Sequence, residues 1–363
     1  MTYSRRKTLG LIGGGTVVAA ASGLGLFAAT RTPAKALAPW DSAGQYPDPR
    51  LRAMSYALLA PNPHNRQPWE AELVGEDSVH ISRDPARDLP VTDPFARQLT
   101  IGMGCFLDLM RMAAAEEGYG IEQTLFPDGE TGPVAVCRFV ADAAQPDPLF
   151  THVLERRSHK DVFADRPLDT SAMDAISPHV DLLAQGDEAE ALRALATEAW
   201  LIEAATYDAW KESIDLLRIG KAEINAQPDG IDLGGPMFEA LNRMGLLTRE
   251  ASLDPTTMAA QGAIQGTVDA IASAAGLVVL TSGGNTRADQ IVSGARWLQL
   301  NLAATGAGLG VRPVSQALQE YPEMAGPYAA IHDAYAPAGG TVQMLGLLGY
   351  ASATPRTPRW PLE

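Results

Sequence analysis

The sequence predicts an α+β fold assembled from two related halves. Two segments, 94–120 and 286–308, carry strong helical periodicity. Short β-rich runs lie on both sides of them, and the first helical segment recurs in the second at a fixed offset. Length agrees, since 363 residues leave room for two structural units of ordinary size.

In chain order, residues 49–60 read as a helix and 71–82 as a strand pair. Within 94–120, Leu99, Met103, Phe106, Met110 and Ala113 recur at steps of four, three, four and three, which lines one helix face. Residues 134–140 (VAVCRFV) and 277–281 (LVVLT) have the β-branched density of strands, and 341–349 (TVQMLGLLG) reads as a buried terminal strand. Residues 187–216 read as helix with one charged side. Residues 286–308 repeat the stripe with Ile291, Ala295, Leu298 and Leu302. A shift of 190 positions lays Ile101 on Ile291, Gly104 on Gly294, Ala113 on Ala303, Gly118 on Gly308 and Gly120 on Gly310. Glycines matched inside the helix and past its end point to a duplicated unit: the inner one permits close backbone approach, the outer one a left-handed cap. The Pro- and Asp-rich stretch 141–148 separates the halves. The expected division is 1–36 as a leader, 37–148 as the first half and 149–363 as the second.

Composition narrows the function. Apolar residues make up 46% and charged residues 20%, enough to bury a core. Residues 1–36 hold five basic side chains and no acid, so the net charge of −15 leaves −20 on residues 37–363. So acidic a body repels phosphate backbones, which excludes nucleic acid as an expected partner. Two cysteines and six scattered histidines offer no metal-ligand spacing.

The N-terminus reads as an address. Arg5 and Arg6 precede an uncharged, glycine-rich run from Leu9 to Ala29, and Ala34-Lys35-Ala36 follows as a small-x-small site. This resembles a twin-arginine export signal. It implies passage through the twin-arginine translocation machinery as a folded protein, cleavage after Ala36, a periplasmic or otherwise exported location, and no stable membrane insertion after cleavage. The alternative is an uncleaved N-terminal anchor.

Three separated motifs carry chemistry: APNPHNRQPW at 60–69, ERRSHKDVF at 155–163 and PRTPRWPLE at 355–363. Together and in this order they resemble the nitroreductase family of FMN-dependent oxidoreductases, in its internally duplicated, signal-bearing branch related to the mycobacterial Acg proteins. The resemblance implies the nitroreductase fold, here as an intramolecular pseudodimer, with FMN as cofactor. It implies that Arg156, Ser158 and Lys160 contact the phosphate and ribityl chain, joined by a C-terminal basic residue, with Arg359 preferred over Arg356. Their chemistry suits the role, because a phosphate dianion favours guanidinium, ammonium and hydroxyl donors. If 156–160 is extended, Arg156, Ser158 and Lys160 share one side, and Arg157 and His159 face away.

The 60–69 segment suits the flavin ring. Pro61 and Pro63 stiffen the chain, and Asn62 and Asn65 supply amides that match a donor–acceptor edge. Pro313 and Ser315 fall on the loop that, in the family, passes beside flavin N5. The loop lies in the first half and the cradle in the second, which predicts one FMN per chain completed within a monomer. The flavin carries the chemistry, so no catalytic side chain and no metal are expected. The expected function is an exported FMN-binding oxidoreductase that passes hydride to a small-molecule substrate. The alternatives are a non-catalytic protein that stores or sequesters flavin, and a scaffold without cofactor.

Overall fold

The computed structural model describes residues 30–336 and 338–362. Arg5, Arg6 and the Leu9–Ala29 run lie outside the described residues. The described chain opens with α1 (Ala34–Ser42) and α2 (Pro49–Ala57), then β1 (Trp69–Val74), β2 (Ser78–Arg83), α3 (Arg97–Glu116), β3 (Gly120–Leu125) and β4 (Ala135–Val140). Next come α4 (Thr170–Ile176), β5 (Leu182–Ala184), α5 (Gly186–Ala205), α6 (Tyr207–Asp215), β6 (Leu217–Ile219), α7 (Gly220–Ala226), β7 (Ile231–Leu233), α8 (Pro236–Arg243), α9 (Arg249–Leu253) and α10 (Met258–Ser273). The chain ends with β8 (Gly276–Ser282), α11 (Arg287–Gly306), β9 (Leu309–Pro313), α12 (Ala325–Tyr335) and β10 (Thr341–Tyr350).

Local chemistry sets the helix starts. Asp48 accepts the Arg50 amide at 2.8 Å ahead of Pro49, which opens α2. Asp93 accepts the amides of Gln98 and Leu99 at 3.0 and 2.8 Å, which satisfies donors of the first turn of α3. Thr286 and Asp289 form a reciprocal capping box at α11. The expected single helix over 187–216 breaks at Thr206, whose backbone is extended (φ −86°, ψ 105°), into α5 and α6. The strands β3 and β9, one after each long helix, complete sheets that sequence patterning reads only as glycine-led chain.

Both principal sheets are antiparallel and four-stranded, in the orders β1-β2-β4-β3 and β5-β8-β10-β9. In each, two strands precede the long helix and two follow it, so the two strand orders are the same permutation. The helices α3 and α11 pack on each other. A methyl group on Gly104 would sit 2.9 Å from the Ile291 Cα, and one on Gly294 would sit 2.8 Å from the Gly104 Cα and also meet the Ile101 carbonyl. The contact is reciprocal under the 190-position shift, as an isologous twofold contact is between subunits.

The predicted apolar face of α3 is buried, and so is nearly every other side of the helix between Leu99 and Ala115. It is a central helix wrapped by α2, α11 and sheet. One core runs from Trp40 and Met54 through Phe106 to Trp297, Leu298 and Met344. Residues 206–253 form a satellite with its own small core of Trp210, Ile214, Leu217 and Ile219. Among the described residues no helix is long and apolar enough to cross a membrane. Cys105 and Cys137 are both free and buried, and burial raises both thiol pKa values, Cys137 to about 12.

Candidate cofactor site

A cavity of about 200 Å³ lies where the start of α3 meets the 61–64 loop, and both halves of the chain wall it. Pro61, Asn62, Pro63 and His64 come from the loop and Gln98, Ile101, Gly102 and Cys105 from α3. Ser158, Trp297, Pro313, Ser315, Gln316, Gln319 and Met344 close it from the second half. Gly102 seats the loop. A methyl group there would stand 3.0 Å from the Asn62 Cβ and 3.1 Å from the Pro63 Cδ.

The loop is strained and tied down. His64, Asn65 and Gln67 have φ of 46°, 52° and 49°, a left-handed conformation that costs a non-glycine residue on the order of 1 kcal/mol or more each. Asn62 Oδ1 accepts the Gln67 amide at 2.7 Å. Asn65 donates to the carbonyls of Pro228 and Pro358, and Gln67 donates to that of Pro228 at 2.8 Å. Arg66 pairs with buried Asp229, which also faces Arg218 at 3.5 Å. The satellite therefore grips the loop through Pro228, Asp229 and Gly230, whose amide donates to the Asn65 carbonyl at 3.2 Å.

Beside this loop lies a group of cations. Arg156 and Arg359 are each 3% exposed. Arg156 Nη2 donates to the Leu59 carbonyl at 3.0 Å. Arg359 donates to Asn65 Oδ1 at 2.6 Å and to the carbonyls of Leu59 and Ala60, both at 3.2 Å. Among the described residues no carboxylate pairs with either, and Arg156 Nη1, Arg157 Nε and Arg359 Nε have no hydrogen-bond partner. Burial first, and then the neighbouring guanidinium groups, lower Arg156 to about 10 and Arg359 to about 9, so both stay charged at neutral pH. A buried unpaired cation costs several kcal/mol, and Asp232 offsets part of that cost at Arg359 from beyond ion-pair distance.

The predicted residues divide into three groups. Pro61, Asn62, Pro63, Ser158, Pro313 and Ser315 line the cavity. Asn65, Arg156 and Arg359 stand behind the loop in the cationic group. Lys160 and Arg356 stand apart: Lys160 is half-exposed and pairs with Asp232 at 2.6 Å, and Arg356 turns out to Asp41 at 2.6 Å. The expected alternation over 156–160 does not hold. Only Ser158 bridges to a strand residue, Val311, while Arg156 and His159 are both buried and Lys160 faces out. A single bridge cannot impose a two-residue period on the chain around it. Arg157 lies over the Trp40 ring at 4.0 Å from its centroid.

Sequence reasoning missed Gln98, Gly102, Gln319, Trp297 and Met344 as wall residues. The first two sit four apart on α3, and their signal was hidden inside the helical stripe. It also missed Glu203, 2% exposed, which accepts from Gln319 at 2.7 Å. Burial pushes its carboxyl up to about 7. His64 has an unpartnered Nδ1, and burial lowers its pKa, which favours the neutral ring. Among the described residues no cluster of three or more His, Cys, Asp or Glu is placed to hold a metal ion.

No family model matches the chain. Two curated proteins of Mycobacterium tuberculosis, "Uncharacterized protein Rv3127" and "Uncharacterized protein MT3212", are each 37% identical to it over 78 residues, 21% of this chain and 23% of theirs. The chain thus spans about a quarter of the length of these relatives. A solved nitroreductase-like family protein from Bacillus cereus aligns with a TM-score of 0.32 at 13% identity, over 60% of this chain and 94% of that one.

Proposed function

We propose that the chain is an exported FMN-binding oxidoreductase of nitroreductase type, built as an internal pseudodimer with one flavin per chain. The observation that carries this reading is the pair of buried guanidinium groups with unpartnered N–H donors, Arg156 and Arg359, beside a cavity lined by residues of both halves. The fit to FMN rests on those orphaned donors. A phosphate offers acceptors for Arg156 Nη1 and Arg359 Nε. The duplication is supported by the matching strand orders and the reciprocal Gly104–Gly294 contact.

When bound, the flavin supplies hydride transfer through its N5. The protein's residues bind and orient. Arg156 and Arg359 neutralise the phosphate. Pro61 and Pro63 hold the loop at low entropic cost, and the amides of Asn62, Gln98, Gln316 and Gln319 offer donors and acceptors along the cavity wall. Neutral His64 adds no charge. The Pro228–Gly230 segment of the satellite grips the loop whose Pro61–His64 stretch walls the cavity.

That same grip favours a second reading, a protein that stores flavin beneath its satellite. The test is an absorbance spectrum of the purified protein before and after addition of a reductant, with FMN quantified per chain. A yellow protein with one FMN that bleaches and then reoxidises with an added acceptor supports the oxidoreductase. Bound flavin that resists every donor supports storage. A colourless protein that takes up no FMN removes both readings.

A further inference from the structure

Behind the cavity wall stands a carboxyl group that the phosphate contacts do not use. Glu203, near the end of α5, is 2% exposed, and its Oε2 accepts from Gln319 Nε2 at 2.7 Å. Gln319 is 3% exposed and walls the cavity. One end of its side-chain amide is thus spent on Glu203. The other end, Oε1, is buried and has no hydrogen-bond partner in the chain. A buried acceptor without a partner is costly, and a ligand that brings an N–H or O–H removes that cost.

The backbone beneath this amide is fixed. The Gln319 N–H donates to the Gln316 carbonyl at 3.0 Å, the Leu318 N–H to the Ser315 carbonyl at 2.9 Å, and Arg97 Nη2 to the Leu318 carbonyl at 2.8 Å. What remains adjustable is the side-chain amide, whose two ends have nearly the same shape and opposite hydrogen-bonding roles. An ionised Glu203 only accepts, so it holds the amide by its N–H and leaves Oε1 over. A protonated Glu203 has an O–H to place, and Oε1, on the residue it already touches, is an acceptor without a partner. Once that O–H takes Oε1, the cavity meets N–H instead of oxygen.

The surroundings set this exchange near neutral pH. Burial raises the Glu203 carboxyl to about 7, and hydrogen bonds from Gln319 and then Gln316 act against it. Glu212, on α6, pushes in the same direction as burial. It is itself held by the amides of Val91 and Thr92, both at 2.9 Å, and by the Thr92 hydroxyl at 2.6 Å. Tyr321, on the loop ahead of α12, feels Glu203, and burial first raises its phenol, so it stays neutral. α10, α12 and β8 also pack on α5, and among the described residues none of them brings a cation that acts on Glu203.

We propose that Glu203 is a positioning residue of the cofactor site: ionised, it leaves the Gln319 oxygen for a ligand N–H or O–H, and protonated, it takes that oxygen away. The proposal rests on the flavin reading, since the ring imide N–H and the ribityl hydroxyls are donors of this kind. Flavin binding and protonation of Glu203 then compete. Affinity is full above pH 7 and falls as pH drops below it.

The test titrates FMN by fluorescence quenching from pH 5.5 to pH 8 into the wild-type chain, Glu203→Gln and Gln319→Met, with circular dichroism at each pH to confirm folding. From pH 8 to pH 5.5 the wild type should lose about tenfold more affinity than Glu203→Gln, which has no proton to gain. Titration of the FMN phosphate is common to both and cancels. Gln319→Met keeps the length and removes both amide ends. It gives the same comparison with Glu203 untouched, and should bind more weakly than wild type at pH 8 without the extra fall. Calorimetry at pH 7 in buffers of different ionisation enthalpy should show more proton release on binding in the wild type than in either variant. Parallel slopes in the three proteins overturn the proposal and leave the flavin site standing. A wild type that tightens on acidification relative to the variants shows that the amide offers its N–H, which also overturns it. FMN taken up by none of the three at pH 8 overturns the flavin reading, and the proposal falls with it.

Discussion

Gly104 and Gly294 meet backbone to backbone, so closely that a methyl group on Gly294 would stand 2.8 Å from the Gly104 Cα and 2.9 Å from the Cys105 amide nitrogen. The Cys105 thiol donates to the Gly294 carbonyl at 3.1 Å in the same crossing. The candidate site is built on this crossing, because α3 supplies one wall and α11 another.

Gly104→Ala and Gly294→Ala should each destabilise the chain by about 2–3 kcal/mol, since the atoms in the way are backbone and cannot rotate aside. Denaturant unfolding checks it. Because the contact is reciprocal, the two losses should be similar, and the double variant should lose less than their sum. A neutral result at either position contradicts the close crossing.

Arg156→Ala should weaken FMN binding by roughly tenfold to hundredfold through loss of a charge-assisted contact. Arg359→Ala should do the same. Arg157→Ala should cost mainly the stacking on Trp40, about 1 kcal/mol of stability, with little change in affinity. Flavin titration by fluorescence quenching reads the first two effects and thermal unfolding reads the third. Equal loss of affinity from Arg156→Ala and Arg157→Ala would show that burial does not separate their roles.

Asp229→Asn leaves Arg66 and Arg218 buried without a carboxylate. The expected loss of stability is about 3–5 kcal/mol. Flavin release should quicken at least tenfold, because the satellite grips the loop through this pair. Unchanged release from a destabilised variant would mean that the satellite does not cover the cofactor.

Glu203 sets a pH dependence of definite sign. Its carboxyl is pushed from 4.5 up to about 7 by burial, so the folded state binds the extra proton in that window. Stability is full below pH 4.5 and falls as pH rises through 7. Glu203→Gln should remove that fall, which is on the order of 3 kcal/mol. His64 acts in the opposite direction. Its pKa is lowered from 6.5, so its contribution is full above 6.5 and lost as pH falls. The difference between wild type and Glu203→Gln across pH 4–8, taken from unfolding midpoints, isolates the carboxylate. A constant difference would place the Glu203 pKa near its ordinary value.

Much of the architecture was legible in the sequence because it rests on local periodicity and on residues that permit one backbone. The two long helices, the matched glycines at their crossing, the terminal strand and the β1–β2 and β4 runs all follow from spacing and side-chain type. The sequence also singled out the PNPHN loop and Ser158, which the fold brings to one cavity. What spacing could not supply was direction and depth. Which of Arg156, Arg157, His159 and Lys160 turns inward depends on a single bridge to Val311 and on the Trp40 ring, which arrives from a helix more than a hundred residues upstream. The choice of Arg359 over Arg356 depends on a carbonyl pair at Leu59 and Ala60. The same holds for the leader. Ala34-Lys35-Ala36 reads as a cleavage site in one dimension. Only the fold buries Ala36 between Asn225 and Arg359, because backbone groups removed from water must find partners wherever the chain brings them.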